Sequence, residues 1–216
     1  MPTVLIAGAS RGIGLELARQ YAAEGWNVHA TTRTPTRPGE LGTIEGVRVH
    51  RLEVRCAADA TALADELAGC ALDLLIHNAG VSGTGRSREE VFAINSDAPF
   101  MVTEALFSNL LAAQAPKLVL MTSQLGARRG STSSLGLYGD SKAALNDRFR
   151  ALAPTWRAKG VSAIVLHPGW VRTDMGGHSA PLGVEQSVHG IRQVVASLTL
   201  EATGKFLTWE GNEHPW

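Results

Sequence analysis

Cysteine is scarce in this chain: Cys56 and Cys70 are the only two among 216 residues. Two thiols can build neither a disulfide framework nor a zinc quartet, so a reducing, cytoplasmic setting is expected. An excess of charge of either sign is also missing. Twenty Lys plus Arg balance twenty Asp plus Glu, and a neutral chain lacks the basic surface that displaces counterions from a duplex, so nucleic acid is not an expected partner. The run of about 18 apolar residues that a membrane span needs is absent, and the start, Met-Pro-Thr-Val-Leu-Ile-Ala-Gly, carries no positive charge ahead of its apolar run. Neither a membrane span nor a signal peptide is expected. The seven histidines (His29, His50, His77, His167, His178, His189 and His214) show no ligand spacing such as His-x-x-x-His. No metal is expected.

What is present is a chain that is 44% hydrophobic, enough to bury a core without staples, with no repeat, linker or low-complexity tract dividing residues 1–216. One domain is expected. Glycine is in excess, 23 residues, about one in nine against a typical ~7%. Strand-like apolar runs alternate with helical periodicity: strands at Val4–Ala7, Trp26–Thr32, Val47–Val54, Leu72–His77, Lys117–Thr122, Val161–Leu166 and Lys205–Trp209, with helices at 13–24, 58–67, 89–113 (bent at Pro99), 138–159 and 184–200. That alternation predicts an α/β, single-domain Rossmann fold: a doubly wound parallel sheet of about seven strands with helices on both faces. Breakers at Pro35, Pro38, Gly39, Gly42 and Gly46 predict a short or irregular second crossover. Pro154 is expected to kink or split the long helix, and Ser123–Leu137 to be a loop.

Gly8-Ala9-Ser10-Arg11-Gly12-Ile13-Gly14 joins the first strand to the first helix, where a dinucleotide-binding fold places its pyrophosphate. Glycines let the backbone approach phosphates, and the helix start offers free N–H groups and a positive dipole end. The spacing is G-x-x-x-G-x-G, not G-x-G-x-x-G, so alone it also describes a ligand-free turn. About 18 residues further, an NAD-selective site would carry an acid on the ribose hydroxyls. This chain has Thr31-Thr32-Arg33-Thr34 there and no acid before Glu40. Arg33 with Arg11 could bind a 2′-phosphate by charge-assisted hydrogen bonds, so NADP(H) is favoured over NAD(H); the plainer alternative is a solvated loop arginine.

Tyr138 and Lys142 are four apart at a helix start, hence on one face, and Ser123 follows the fifth strand directly. All three fall near the carboxyl ends of parallel strands, where open α/β sheets bind ligands. A cation about 4 Å from a phenolate, at an effective dielectric near 20, contributes about 4 kcal/mol, on the order of three pK units. That is enough to tune a tyrosine for proton transfer, although Tyr-x-x-x-Lys is also an ordinary amphipathic spacing.

Together these signals resemble the short-chain dehydrogenase/reductases over essentially the whole chain. Gly8–Gly14 is similar to that family's cofactor loop, with Ala7 where Thr is usual. Asn78-Ala79-Gly80 matches its Asn-Asn-Ala-Gly, with His77 in place of the first Asn. Asn95 falls at the family's helix asparagine, Ser123-Gln124-Leu125-Gly126 fits its Ser-x-x-Gly, Tyr138 and Lys142 its Tyr-x-x-x-Lys, and Pro168-Gly169-Trp170-Val171-Arg172-Thr173 its Pro-Gly-x-Val-x-Thr. The resemblance implies hydride transfer between a nicotinamide and a small carbonyl or alcohol carbon. Tyr138 would be the proton donor or acceptor, Ser123 would orient the carbonyl, Lys142 would lower the tyrosine pKa and bind the nicotinamide ribose, and Asn95 would support a relay water. Implied cofactor contacts are Gly8, Ser10, Arg11, Gly12, Ile13, Gly14, Thr32, Arg33, Glu53, Val54, Asn78, Ala79, Gly80, Tyr138, Lys142, Pro168, Gly169, Val171 and Thr173.

The compact length, Ile164–Gly177 and the ending Gly204–Trp216 resemble the small branch that holds C-factor-like signalling proteins and sniffer-type carbonyl reductases. Two functions are therefore carried forward: an NADP(H)-preferring carbonyl reductase, and an NADP-binding signalling or regulatory protein with secondary reductase activity. Family members often pair two long helices in a dimer, but Pro154, Arg148, Arg150 and Arg157 weaken that face here, so monomer or homodimer both stand. Trp170 and Met175 either shape a pocket or sit in the core. The short segments 81–88 and 175–183 predict a shallow, open site.

Overall fold

Side chains alternating with period two decide how this chain folds. The computed structural model describes residues 1–129 and 133–216; part of the loop expected at 123–137 lies outside them. The strands are β1 (Thr3–Ala7), β2 (Asn27–Thr32), β3 (Val47–Arg51), β4 (Leu74–His77), β5 (Lys117–Met121), β6 (Ser162–His167) and β7 (Phe206–Thr208). They form one seven-stranded sheet in the order β3-β2-β1-β4-β5-β6-β7, and every neighbouring pair is parallel. In β1, Leu5 and Ala7 face one core with Leu75, Leu118, Leu120 and Val165, whereas Val4 and Ile6 face the other with Leu74, Ile76, Val119 and Ile164. Both faces are fully buried, which is why the strands read as continuous apolar runs.

Helices cover both faces. On the first lie α2 (Ala57–Glu66), α4 (Ala98–Ala105) and α6 (Gly136–Ala158), and on the second α1 (Gly12–Ala23) and α7 (Val184–Ser197). Short helices α3 (Arg88–Phe92) and α5 (Phe107–Leu111) flank α4. The second crossover contains only the 3₁₀ turn Gly39–Thr43, as its breakers predicted. Edge strand β3 is tied inward by a chain of hydrogen bonds from His29 Nδ1 to His50 Nε2 at 2.8 Å and from His50 Nδ1 to Glu66 Oε2 at 2.8 Å.

Three expectations need correction. Pro154 does not split the long helix: α6 is one element of 23 residues, because Phe149, Ala153 and Trp156 on either side of the proline are buried in the core and hold both halves in register. The helix expected at 89–113 is divided into α3, a π-turn at Ala93–Asp97, α4 and α5; the break centres on Asn95, and Pro99 sits inside the first turn of α4. The third strand stops at Arg51, since the Cys56 N–H donates to the Glu53 carbonyl at 2.8 Å and turns the chain towards α2. Among the described residues no helix is long and apolar enough to cross a membrane.

Candidate active site

Strand order reverses between β1 and β4, the switch point at which doubly wound sheets take ligands. Ala7 is paired with His77, so the Gly8–Gly14 turn and Asn78–Gly80 leave the sheet side by side. The Asn78 side-chain amide donates to the Gly8 carbonyl at 2.8 Å, and the Gly8 N–H donates to Thr31 Oγ1 at 3.1 Å. Gly8 has φ +84°, and a Cβ on it would lie 2.7 Å from the Ala79 Cα; one on Gly14 would lie 2.1 Å from the Gly8 carbonyl oxygen. Glycine is obligatory at both. Arg11 caps α1 with no side-chain hydrogen bond, which leaves the first N–H groups and the dipole end free for an anion. This cradle of bare backbone fits a dinucleotide phosphate, and Ser10 and Arg11 stand exposed at its rim while Ile13 is half-buried.

Ser123, Tyr138, Lys142 and Asn95 converge on the same edge. Ser123 leaves β5 and opens the 3₁₀ turn Gln124–Gly126, its Oγ accepting from the Leu125 N–H at 3.1 Å. That turn packs hard on α6: a Cβ on Gly126 would lie 2.8 Å from the Lys142 Cβ, and one on Gly139 would lie 2.7 Å from the Leu125 carbonyl oxygen. Burial pushes the Tyr138 phenol above its ordinary pKa, and a hydrogen bond with Ser123 draws it back down. The Lys142 ammonium lies 6.0 Å from the Tyr138 ring centre and donates to the Met121 carbonyl at 2.9 Å. Over about 6 Å at an effective dielectric near 20 its charge would favour a phenolate by about 3 kcal/mol, or two pK units. Burial lowers the Lys142 pKa to about 8. The neighbouring His77 is held near 3, by burial first and then by the Lys142 charge, so it is neutral at physiological pH.

Asn95 is buried in the π-turn, and its side chain is fully engaged. Its Oδ1 accepts from the Val81 N–H at 2.9 Å, and its Nδ2 donates to the Val81 carbonyl at 2.9 Å and to Ser141 Oγ at 3.0 Å. The Ser141 hydroxyl donates onward to the Tyr138 carbonyl at 2.7 Å. Asn95 therefore welds the loop after β4 to the first turn of α6. Its main-chain carbonyl is left without the usual i+4 donor, because the residue four further on is Pro99.

The remaining predicted positions divide. Thr32 ends β2, and Arg33 is exposed beyond it, its carbonyl accepting from Arg51 Nη1 at 3.3 Å. Arg11 pairs with Asp174 at 2.9 Å, so its charge is shared across the cleft. Glu53 and buried Val54 begin the turn before α2. Partial burial raises the Glu53 pKa, but hydrogen bonds from Arg55 outweigh that and hold the carboxylate below its ordinary value. It is Asp59, unnoticed in the sequence, that accepts from the Glu53 N–H at 2.8 Å. Beyond β6, the Ser187 hydroxyl donates to the Pro168 carbonyl at 2.6 Å, and Val171 pairs with Leu182. Thr173 closes on the phosphate turn: a Cβ on Gly12 would lie 3.3 Å from its Cγ2. Trp170 and Met175 are exposed, 51% and 50%, which removes the core alternative; the Trp170 indole N–H donates to the Gly176 carbonyl at 2.8 Å.

Other contributors escaped the sequence reading. Thr31 and the Met121 carbonyl anchor the glycine turn and Lys142 through side-chain-to-backbone contacts that carry no spacing signature. Ser141 lay inside the Tyr-x-x-x-Lys segment, and its small hydroxyl between Tyr138 and Lys142 was the available clue. Among the described residues no group of three His, Cys, Asp or Glu side chains is placed to hold a metal.

Fold and site together define a doubly wound α/β protein of the dinucleotide-binding class. The comparison with known families narrows this: residues 2–181 match the short chain dehydrogenases, and the chain belongs to that family of oxidoreductases. It is 37% identical to the C-signal of Myxococcus xanthus over 154 residues, covering 67% of this chain and 93% of that protein. Among solved structures it is similar to the carbonyl reductase Sniffer of D. melanogaster, with TM-score 0.91, 28% identity and both chains covered in full. An NADPH-bound carbonyl reductase from chicken fatty liver superposes with TM-score 0.90 and 31% identity, covering 100% of this chain and 99% of that one.

Proposed function

We propose that this protein is an NADP(H)-preferring carbonyl reductase acting on small carbonyl substrates. The observation that carries the reading is the convergence of Ser123, Tyr138 and Lys142 beside the glycine cradle. When bound, a nicotinamide cofactor supplies or accepts the hydride. Gly8, Ser10, Arg11, Gly12, Ile13 and Gly14 would hold its phosphates, Asn78, Ala79 and Gly80 would line the adjoining floor, and Pro168, Gly169, Val171 and Thr173 would border the nicotinamide end. Thr32, Arg33, Glu53 and Val54 would bound the adenosine end, with no acid on β2 to repel a 2′-phosphate.

On the protein side, Ser123 orients and polarises the carbonyl, and Tyr138 delivers the proton to its oxygen. The raised tyrosine pKa suits the acid role in reduction, since the phenol stays protonated at neutral pH. Lys142 stabilises the phenolate as it forms, and the free Asn95 carbonyl holds a water through which the proton is replaced. Replacing Tyr138 by Phe removes the donor and should lower kcat for NADPH-dependent reduction of aldehydes or quinones by about 10²–10⁴, with NADPH affinity retained. Full activity in that variant would overturn the assignment. Fluorescence titration separates the cofactors: NADPH should bind tighter than NADH, and R33A should abolish the difference. The similarity to C-signal keeps a second reading, a cofactor-binding signalling protein. Both readings require binding, but only the reductase requires turnover.

A further inference from the structure

The last residues of the sequence return to the catalytic edge. After β7, the chain turns at Gly211 and runs back antiparallel, with Leu207 paired to Glu213 and the His214 N–H donating to the Phe206 carbonyl at 2.7 Å. Trp216 then packs its ring 5.4 Å from Phe206 and 6.3 Å from Phe149 of α6, under the Arg150 guanidinium at 5.1 Å. Its main-chain oxygen accepts from the Arg129 N–H at 2.8 Å.

Arg129 belongs to the segment that begins at Ser123. That segment is pinned to successive turns of α6: Gly126 lies against Lys142, the Gly126 carbonyl accepts from Asn146 Nδ2 at 3.3 Å, and Arg128 pairs with Asp147 at 3.2 Å. Trp216, seated on Phe149 and Arg150, forms the last rung. Arg129 has φ +48°, and no other described non-glycine residue has a positive φ. A bulky residue keeps that backbone shape only where its surroundings over-determine it, and the bond to Trp216 is a fixed contact at that residue.

We propose that Trp216 is a positioning residue for the active site, its ring and main-chain oxygen locking the Ser123–Arg129 segment against α6 and so setting the substrate-facing edge that carries Ser123 and the exposed Leu125. The tail thus acts on carbonyl binding and leaves the cofactor cradle alone, because the glycine turn packs against Ala79 and Thr173 on the other side of the site. The kinetic part of this inference rests on the reductase reading; the structural part does not.

The test compares wild-type chain with W216A, W216L and W216F. Hydrogen exchange of the peptide covering 123–129 should rise about tenfold or more in W216A, less in W216L, and stay near wild type in W216F, while the peptide covering 8–14 is unchanged. In steady-state reduction, W216A should raise KM for the carbonyl about tenfold, with KM for NADPH within about twofold, and W216F should restore it. Unchanged exchange at 123–129, or a rise spread equally over 8–14 in both W216A and W216L, overturns the proposal. If wild-type protein turns over no carbonyl with NADPH, the reductase reading fails and the exchange data still decide the role of Trp216.

Discussion

Replacing Lys142 by Met should make the protein more stable at neutral pH while removing its activity. The lysine is 4% exposed, and burial brings its pKa from 10.5 down to about 8. Between those values the unfolded chain binds a proton that the folded protein has released, so stability rises with pH across that window. Below about pH 8 the whole cost of burying the ammonium is present, and above about pH 10.5 it is gone. The difference corresponds to about 3 kcal/mol at 1.36 kcal/mol per pK unit. Methionine forfeits the hydrogen bond to the Met121 carbonyl, worth about 1 kcal/mol, which leaves a net gain of about 2 kcal/mol. For a domain of this size that is about 4–8 °C in Tm. Calorimetry of both proteins near pH 7 and near pH 10.5 measures it: the gap should be clear at the first and reversed or absent at the second. A K142M protein that melts at or below wild type near pH 7, or shows the same gap at both values, would refute the reasoning. Stability is given up at this residue for a charge that the chemistry uses.

Other perturbations test separate links. Pro154 is exposed within α6 and withholds one backbone bond, so P154A should raise stability by about 1–3 kcal/mol, read as a higher urea midpoint at unchanged m-value. Burial lowers His29 and His167 to about 4 and His77 to about 3, each from an unfolded value near 6.5, so the unfolded chain binds more protons as pH falls. Stability should be full above about pH 6.5 and drain away towards pH 4, with urea midpoints at three pH values as the readout; a flat profile would contradict it. G126A should displace the turn after Ser123 from Lys142, costing about 1–3 kcal/mol of stability together with a large loss of kcat.

The sheet was legible because its strands are buried on both faces: Val4–Ala7 and Lys117–Thr122 can be little else. The glycine turn was legible because Gly8 and Gly14 meet backbone that excludes a Cβ. Pro154 misled because local propensity said break, whereas the buried flanks Phe149 and Trp156 hold the helix together. The division near Asn95 was hidden, since a π-turn has no periodicity of its own and Pro99 drew the bend to itself. Contacts between distant segments left no trace in the sequence: Arg11 with Asp174, Asp59 with Glu53, and Trp216 with Arg129 depend on tertiary placement, and the tail read only as a last short strand.

The π-turn also sets a limit on how the chain can change in length. An α-helix advances about 100° per residue, and a π-turn absorbs one residue beyond the regular repeat. Deleting a single residue between Ala93 and Asp97 would heal the helix and rotate everything after it by about that angle, turning Phe100, Val102 and Leu106 out of the core they now fill. Keeping those three buried instead would swing Asn95 away from Val81 and Ser141. The catalytic edge and the packing of α4 are thus locked in phase, and insertions or deletions that the loop at 82–87 can accommodate are forbidden a few residues later.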